Sequence, residues 1–511
     1  MTGQRSLTTL CMIATQSPVP QLPIALVIEL LTAFNRCAIS YCYWKSSRRI
    51  QAAISGESDV DLLIAREHQH DARRILLECG FKPFPAVASR EHPAIASFLG
   101  YDEPSGTIVH VHAHFRLVTG GKLLNEYRLP WEEMLLGAAT AAPGLPLRVL
   151  DPASEALLLV VRGCLELQRT DLVVLRHWRA TIEKFERDRE ELAKRVDRAA
   201  VRSRAAEALG EGMAEAVAEA VFAAVPLHRQ RRLRRRMRRA LAERRAYSAP
   251  EAFLRNLARG LAWVTGGANS RVLHLPRPWS RRAAGGGCLV AILGVDGSGK
   301  STVVRSLRSW LSAELDVMPL YFGTGDGRPS LVLLPFKLLV PLIRRMFPIK
   351  PRGASHGRIS DRPPGPVYSV LMSIWAALVS LEKGSKLRAA WRAVARGMVV
   401  VTDRYPQGEN VHYNDGPQLH RSRWSPDWLR RYEARAYALA GRMPPDLVIK
   451  LDVEPETAAR RETDMSPAVI AERIAAVRQL VFPGARVVLV NAEQPLAEVL
   501  RAVRREVWRM L

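Results

Sequence analysis

Cysteines spaced C-x-x-C are missing from this 511-residue sequence, and so are an internal repeat and enough acid to balance its bases. An apolar run of about twenty residues, the length that spans a bilayer as a helix, is missing too. Each absence excludes something. The six cysteines, Cys11, Cys37, Cys42, Cys79, Cys164 and Cys288, are scattered, which argues against a disulfide frame or a zinc knuckle and suits a reducing, cytoplasmic compartment. The longest apolar stretches are Leu22–Phe34, 13 residues interrupted by Glu29, and Pro366–Leu381, 16 residues that include Tyr368, Ser369, Ser373 and Ser380. Both read as buried helices. Arg5 lies near the N-terminus, but no apolar core segment or small-residue cleavage site follows it, so no secretory signal is expected. With 50 acids against 75 Lys and Arg the formal net charge is +25, which favours nucleotides, nucleic acid or an acidic membrane as partners and does not choose among them.

A chain this long exceeds one ordinary core, and three compositional zones divide it. Residues 1–145 mix short β-prone runs with helices, and 146–280 read as helix upon helix, rich in Ala, Arg and Glu. Residues 286–511 alternate strands with helices. The Pro- and Gly-punctuated HLPRPWSRRAAGGG (274–287) reads as the linker before the last zone.

In that zone the stretch GVDGSGKST (294–302) follows the uncharged β-prone run CLVAIL and precedes VVRSLRSWL, whose apolar residues fall at helical spacing. A strand-loop-helix setting with Gly294, Gly299, Lys300 and Ser301 at G-x-x-x-x-G-K-[ST] spacing is that of a phosphate cradle. Small residues let backbone N–H groups converge on phosphate oxygens at a helix N-terminus, lysine reaches the outer phosphates, and the serine hydroxyl ligates Mg²⁺. Strands are expected at Cys288–Gly294, Val317–Phe322, Met398–Thr402, Leu447–Asp452 and Val487–Asn491, forming an α/β doubly wound parallel sheet. Ligands of such sheets sit at the carboxyl ends of the strands. Asp403 there closes the run MVVVT, as a carboxylate holding the Mg²⁺ shell would, and the guanidinium of Arg404 beside it suits an incoming phosphate.

GVDGSGKST, VVVTDRYP and PPDLVIKLDVEPETAARR together resemble the thymidylate kinase branch of the P-loop nucleotide kinases over roughly residues 286–511. The resemblance implies that Gly294, Asp296, Gly297, Ser298, Gly299, Lys300, Ser301 and Thr302 bind ATP with Mg²⁺ on Ser301 and Asp403. It further implies that Arg404 of the D-R-[YFH] motif holds the acceptor phosphate, and that Arg461, with Arg460 and Arg473, serves as a lid cation. The activity implied is transfer of the ATP γ-phosphoryl group to a small, phosphorylated acceptor. The helix YSVLMSIWAALVSLEKGSK lacks the phenylalanine and arginine of the family's thymine-reading helix. The segments 321–330 and 405–420 are foreign to it, so they are expected to shape a different acceptor pocket.

The first zone carries a second chemistry. AISYCYWKSS (38–47) reads as a strand into a turn, and SGESDVDLLI (55–64) sets Asp59 and Asp61 on one face of a second strand, as a Mg²⁺ site for nucleotidyl transfer needs. Ser46 and Ser58-Asp59-Val60-Asp61-Leu62 resemble the G-S…S-D-x-D-L signature of the nucleotidyltransferase superfamily, with Lys45 in place of the glycine. That resemblance implies an α+β nucleotidyltransferase-like domain over 1–145. A third carboxylate is not visible: the strand IVHVHAHFRL (108–117) carries His110, His112 and His114 on one face instead. These could bind a transition metal, form an amphipathic face, or replace the carboxylate in a domain that binds nucleotide without catalysis.

RQRRLRRRMRRALAERR (229–245) holds ten arginines and one acid, with Leu233, Met237 and Leu241 as an apolar stripe. Nucleic acid, an acidic membrane, acids of a neighbouring domain or solvent could meet the basic face. Aromatics are not interleaved, which disfavours single-strand stacking. Three functions follow as expectations: a kinase, a bifunctional kinase and nucleotidyltransferase, or a nucleotide-gated ATPase that binds an anionic partner. A homodimer is an open arrangement for any of them.

Overall fold

A computed structural model describes residues 23–511 apart from 93, 169–170, 324–365, 410–415, 418, 420–424 and 463–465, and apart from the side chains of 366–372. Most of 321–330 and 405–420, the segments expected to shape an acceptor pocket, thus lie outside the described residues.

The molecule is mixed α/β. Among the described residues its first sheet has seven strands, β1 (Tyr41–Tyr43), β2 (Val60–Ile64), β3 (Lys82–Pro83), β4 (Ile95–Asp102), β5 (Thr107–His114), β8 (Thr140–Ala141) and β9 (Arg148–Val149). Their order is β3-β4-β5-β2-β1-β9-β8. A separate two-stranded sheet pairs β6 (Leu117–Thr119) with β7 (Tyr127–Leu129). Helix Ala25–Arg36 lays Val27, Leu30, Leu31 and Phe34 on the first sheet, spaced three and four apart so that one stripe is buried. Residues 25–34 of the expected apolar helix therefore lie in a core helix, and Leu22 falls outside the described residues. β2 and β5 run parallel with Asp61 beside His112, so the second aspartate and the middle histidine are cross-strand neighbours.

Helices follow from Pro152 to Ala268. Asp151 caps the first, accepting from the N–H groups of Ala153 at 3.0 Å and Ser154 at 3.1 Å, with Pro152 opening the turn. That helix, Pro152–Glu166, is buried nearly all round and organises a core into which helix Arg231–Ala240 presses Leu233 and Met237, with Leu241 following. The apolar stripe read from the arginine-rich segment is present.

Among the described residues the second sheet has five strands, β10 (Cys288–Leu293), β11 (Val317–Tyr321), β12 (Val399–Asp403), β13 (Leu447–Asp452) and β14 (Arg486–Asn491), in the order β11-β12-β10-β13-β14. Every neighbouring pair is parallel. All six residues of β10 are buried, as expected of a central strand covered on both faces. Asp403 is the last residue of β12, level with Ile292 of β10, so the loop after β10 and the end of β12 share one edge.

Residues 274–287, read as a linker from their prolines and glycines, are docked. Trp279 and Ser280 donate their backbone N–H groups to the Asp316 carboxylate, the former at 2.7 Å. Val87 N–H donates to Ser280 O at 2.9 Å, and Arg282 N–H to Pro85 O at 3.1 Å. The turn residues mark a change of direction, and the amide groups between them are used by both neighbours. Aromatic contacts join β4 of the first sheet to helices that flank the second, with Tyr101 edge-on to Trp310 of helix Lys300–Ser312 at 5.5 Å and 6.0 Å from Trp508 of helix Leu496–Met510. Among the described residues no helix, Pro366–Ala395 included, is long and apolar enough to cross a membrane.

Candidate functional site

The loop after β10 turns through Gly297 (φ +84°) and Gly299 (φ +89°), left-handed backbone that glycine alone adopts without strain; a Cβ on Gly297 would also meet Ala458 O at 2.7 Å. Gly299 then caps helix Lys300–Ser312, whose amide dipole ends at the loop. Lys300 is buried, 6% exposed, and its ammonium donates to Val295 O at 2.6 Å and lies 3.4 Å from Asp296. Burial lowers its pKa, opposed by the Asp296 and Asp403 charges.

Asp296 is the hub. Arg404 donates to it at 3.0 Å from the end of β12, and Arg473, on helix Pro467–Gln479, pairs with its other oxygen at 3.6 Å. Burial would raise this carboxyl, but Lys300, Arg404 and Arg473 outweigh it and hold it below its usual value. Arg404 has φ +67°, a conformation that costs a non-glycine residue about 1–3 kcal/mol. Its backbone is tied on both sides: its N–H donates to Ile292 O at 3.1 Å and its carbonyl accepts from the Thr402 hydroxyl at 2.6 Å. Asp403 has one carboxylate oxygen, Oδ1, buried and without a hydrogen-bond partner among the described residues, and burial raises its pKa. The Ser298 hydroxyl is likewise buried and unpartnered there.

The residues named from sequence thus meet unevenly. Lys300, Asp296, Arg404, Arg473 and Asp403 converge. Arg461 reaches only the loop backbone, donating to Gly297 O at 3.4 Å, while Arg460 turns away to the Thr457 hydroxyl at 3.0 Å. Ser301 and Thr302 are exposed at the helix start.

The second constellation lies on the first sheet. His110 Nδ1 is 2.8 Å from Asp59 Oδ1, His112 Nδ1 is 3.4 Å from Asp61 Oδ1, and His114 Nε2 is 3.2 Å from the same Asp61 oxygen. Burial pushes the His110 imidazole down to about 3 and that of His114 to about 4, so both are neutral at physiological pH. Asp61 sits well below its usual value: Lys45 and the hydrogen bonds of His112 and His114 outweigh burial. Lys45, which replaces the motif glycine, lies 4.0 Å above the Trp44 ring, and burial pushes its ammonium down to about 8. Lys184 stands among Arg162, Arg49, Lys122 and Lys45, and burial together with those charges pushes it down to about 7.

Two participants have no signal in the sequence. Arg281, from the docked segment, approaches His110 Nδ1 at 3.2 Å, and Glu314, from just before β11, lies 3.4 Å from the same nitrogen and 3.0 Å from Arg281. They belong to segments remote in the chain, and only the packing of the docked segment and of the end of helix Lys300–Ser312 against the first sheet brings them to His110.

On the arginine-rich helix, Arg234 donates to the carbonyls of His228 and Leu167, and Arg236 to Gly212 O at 2.7 Å. Arg231, Arg232, Arg235 and Arg239 are exposed.

No protein-family model matches the chain. It is 27% identical over 227 residues, 43% of its length, to the "Uncharacterized ATP-binding protein YghR" of Escherichia coli, covering 86% of that protein. It is 31% identical over 229 residues, 44% of its length, to the "Uncharacterized ATP-binding protein YghS" of Escherichia coli, covering 93% of that protein. With nearly the whole of that relative matched, the chain belongs to the family of the uncharacterized ATP-binding protein YghS.

Proposed function

We propose that the protein binds ATP on the loop 294–302 and transfers its γ-phosphoryl group to a small phosphorylated acceptor, as a kinase similar to the thymidylate kinase branch. The observation that carries this reading is the convergence of Lys300, Arg404 and Arg473 on Asp296, beside the unpartnered Asp403 oxygen. Three cations held around one carboxylate are a preformed receptor for a more highly charged anion. Phosphates entering the loop would take over the contacts that Asp296 now supplies. The relatives' printed description as ATP-binding supports the nucleotide half.

In this reading Lys300 places its charge on the outer phosphates, and Arg473 and Arg461 neutralise charge that builds on the transferring group. Arg404 fixes the acceptor phosphate, its strained backbone aiming the guanidinium across the strand ends. The Asp403 oxygen and the Ser301 hydroxyl suit Mg²⁺, a hard cation that takes oxygen donors, and when bound that ion would offset phosphate charge. Phosphotransfer of this kind needs positioning and charge compensation, and each of these residues supplies one of the two.

The test is ADP formation by the full chain with MgATP and a panel of nucleoside monophosphates, sugars and sugar phosphates. ADP release that depends on one acceptor class supports the kinase. Slow release indifferent to every acceptor would instead make the chain a nucleotide-gated ATPase.

A further inference from the structure

The resemblance to nucleotidyltransferases implies Mg²⁺ on Asp59 and Asp61, and the surrounding donors do not fit it. Mg²⁺ asks for oxygen ligands and keeps several waters. Here the residue beside Asp61 on the neighbouring parallel strand, where a third carboxylate would complete an oxygen set, is His112. His110 and His114, two residues to either side, present nitrogens to the same carboxylates. The result is a set of three imidazoles and two carboxylates, with Asp59, His110 and His112 forming one close triad and Asp61, His112 and His114 another. Mixed imidazole and carboxylate donors are those of zinc and its neighbours in the transition series.

The geometry points to a binding site for one divalent transition-metal ion of the zinc class, held by Asp61, His112 and His114 with Asp59 as fourth donor. This inference is independent of the phosphotransfer reading. Zinc bonds of about 2.0–2.2 Å at tetrahedral angles place donor atoms about 3.3–3.6 Å apart. The pairs found are 3.2 Å (His114–Asp61), 3.4 Å (His112–Asp61) and 3.7 Å (His112–Asp59). His110, hydrogen-bonded to Asp59 at 2.8 Å, is too close to that oxygen to share a metal with it and orients it instead. The rings are held: His114 packs edge-on to Trp44 at 4.9 Å, and His110 and His112 lie 3.9 Å apart. Two ions would each need His112, which offers one nitrogen to the cluster, so a single ion is expected. Access is from the Asp59 side, which is 44% exposed and borders a cavity of about 360 Å³ lined also by Trp279, Arg281 and Glu314. Arg281 opposes binding, since its guanidinium stands 3.2 Å from His110.

The experiment strips the full chain with a chelator, dialyses it without nucleotide against equimolar Zn²⁺ and a hundredfold excess of Mg²⁺, and counts retained metal by mass spectrometry. Co²⁺ titration followed by visible absorption reports the geometry. The expected result is about one zinc per chain and an intense tetrahedral Co²⁺ band. Asp61→Asn should lose at least about tenfold in affinity, and Arg281→Gln should bind several-fold more tightly. His112→Asp, which creates the third carboxylate, should lose zinc and gain Mg²⁺ affinity. A wild-type chain that retains no zinc overturns the proposal, as does zinc retained equally by Asp61→Asn and His112→Asp.

Discussion

The two constellations are built on opposite charge logic. Around Asp296 three cations gather on one carboxylate, an arrangement suited to an anion; around Asp59 and Asp61 three imidazoles and two carboxylates face one another, an arrangement suited to a cation. They also differ in origin. The first is centred on nine consecutive residues at the end of a central strand, which Arg404 and Arg473 of later segments join, whereas the second joins two strands some fifty residues apart and is closed by Arg281 and Glu314 of distant segments. A site centred on one loop is bound to the backbone turn that makes it, and a site shared between strands depends on the register that aligns them.

The largest expected effect falls on the loop-centred site. Lys300→Ala should lower phosphotransfer by roughly 10²-fold or more, the scale of removing a main electrostatic contact to transition-state charge. Zinc retention should stay at its wild-type level; if it fell in parallel, the two sites would not be separable. Arg404→Ala should reduce kcat/KM for the acceptor by about 10- to 100-fold, the worth of a lost charge-assisted hydrogen bond, while ATP affinity changes little. Equal loss of ATP binding in a nucleotide titration would make Arg404 a support of the loop instead.

Smaller effects probe the charge around both sites. The exposed Arg231, Arg232, Arg235 and Arg239 changed together to Gln should weaken binding to a polyanion such as heparin. They should also flatten its salt dependence by up to about one unit of slope per lost contact. An unchanged slope would leave that face to solvent. Lys184→Met gives the smallest and most directional effect. Lys184 is lowered from 10.5 to about 7, so between those values the unfolded chain holds a proton that the folded chain has released. Stability contributed at this residue therefore rises with pH through that window, and the penalty of burying the charge is fully present below about pH 7. The variant should raise the unfolding midpoint over wild type at pH 6, and the gain should shrink towards pH 10. A gain independent of pH would show that the ammonium is not strained by its neighbours.

Much of the second sheet was legible in the sequence. The runs CLVAIL and MVVVT are buried and lie on parallel strands, whose uncharged β-branched stretches stand out, and the five expected strands appear with ends shifted by at most one residue. Asp403 proved to be the last residue of its strand. The D-x-D aspartates and alternating histidines were legible as faces, because alternation alone puts residues two apart on one side. What brings His112 beside Asp61 is strand register, and no local pattern encodes the pairing of β2 with β5. The docking of 274–287 has no signal in the sequence for a related reason: proline and glycine report backbone geometry, and whether the amides between them find partners depends on the whole fold. Lys45 read as a missing glycine; only its burial against Trp44 near Asp61 marks it as a charge that shapes the site.

The central claim is that the loop 294–302 carries phosphoryl transfer. It is tested most directly by incubating the full chain with ATP labelled in the γ-phosphate, Mg²⁺ and the acceptor that best stimulates ADP release, then following the label. The account predicts label in the acceptor at the rate ADP forms, with transfer lost in Lys300→Ala. Label released only as inorganic phosphate, or transfer that survives Lys300→Ala unchanged, would contradict it.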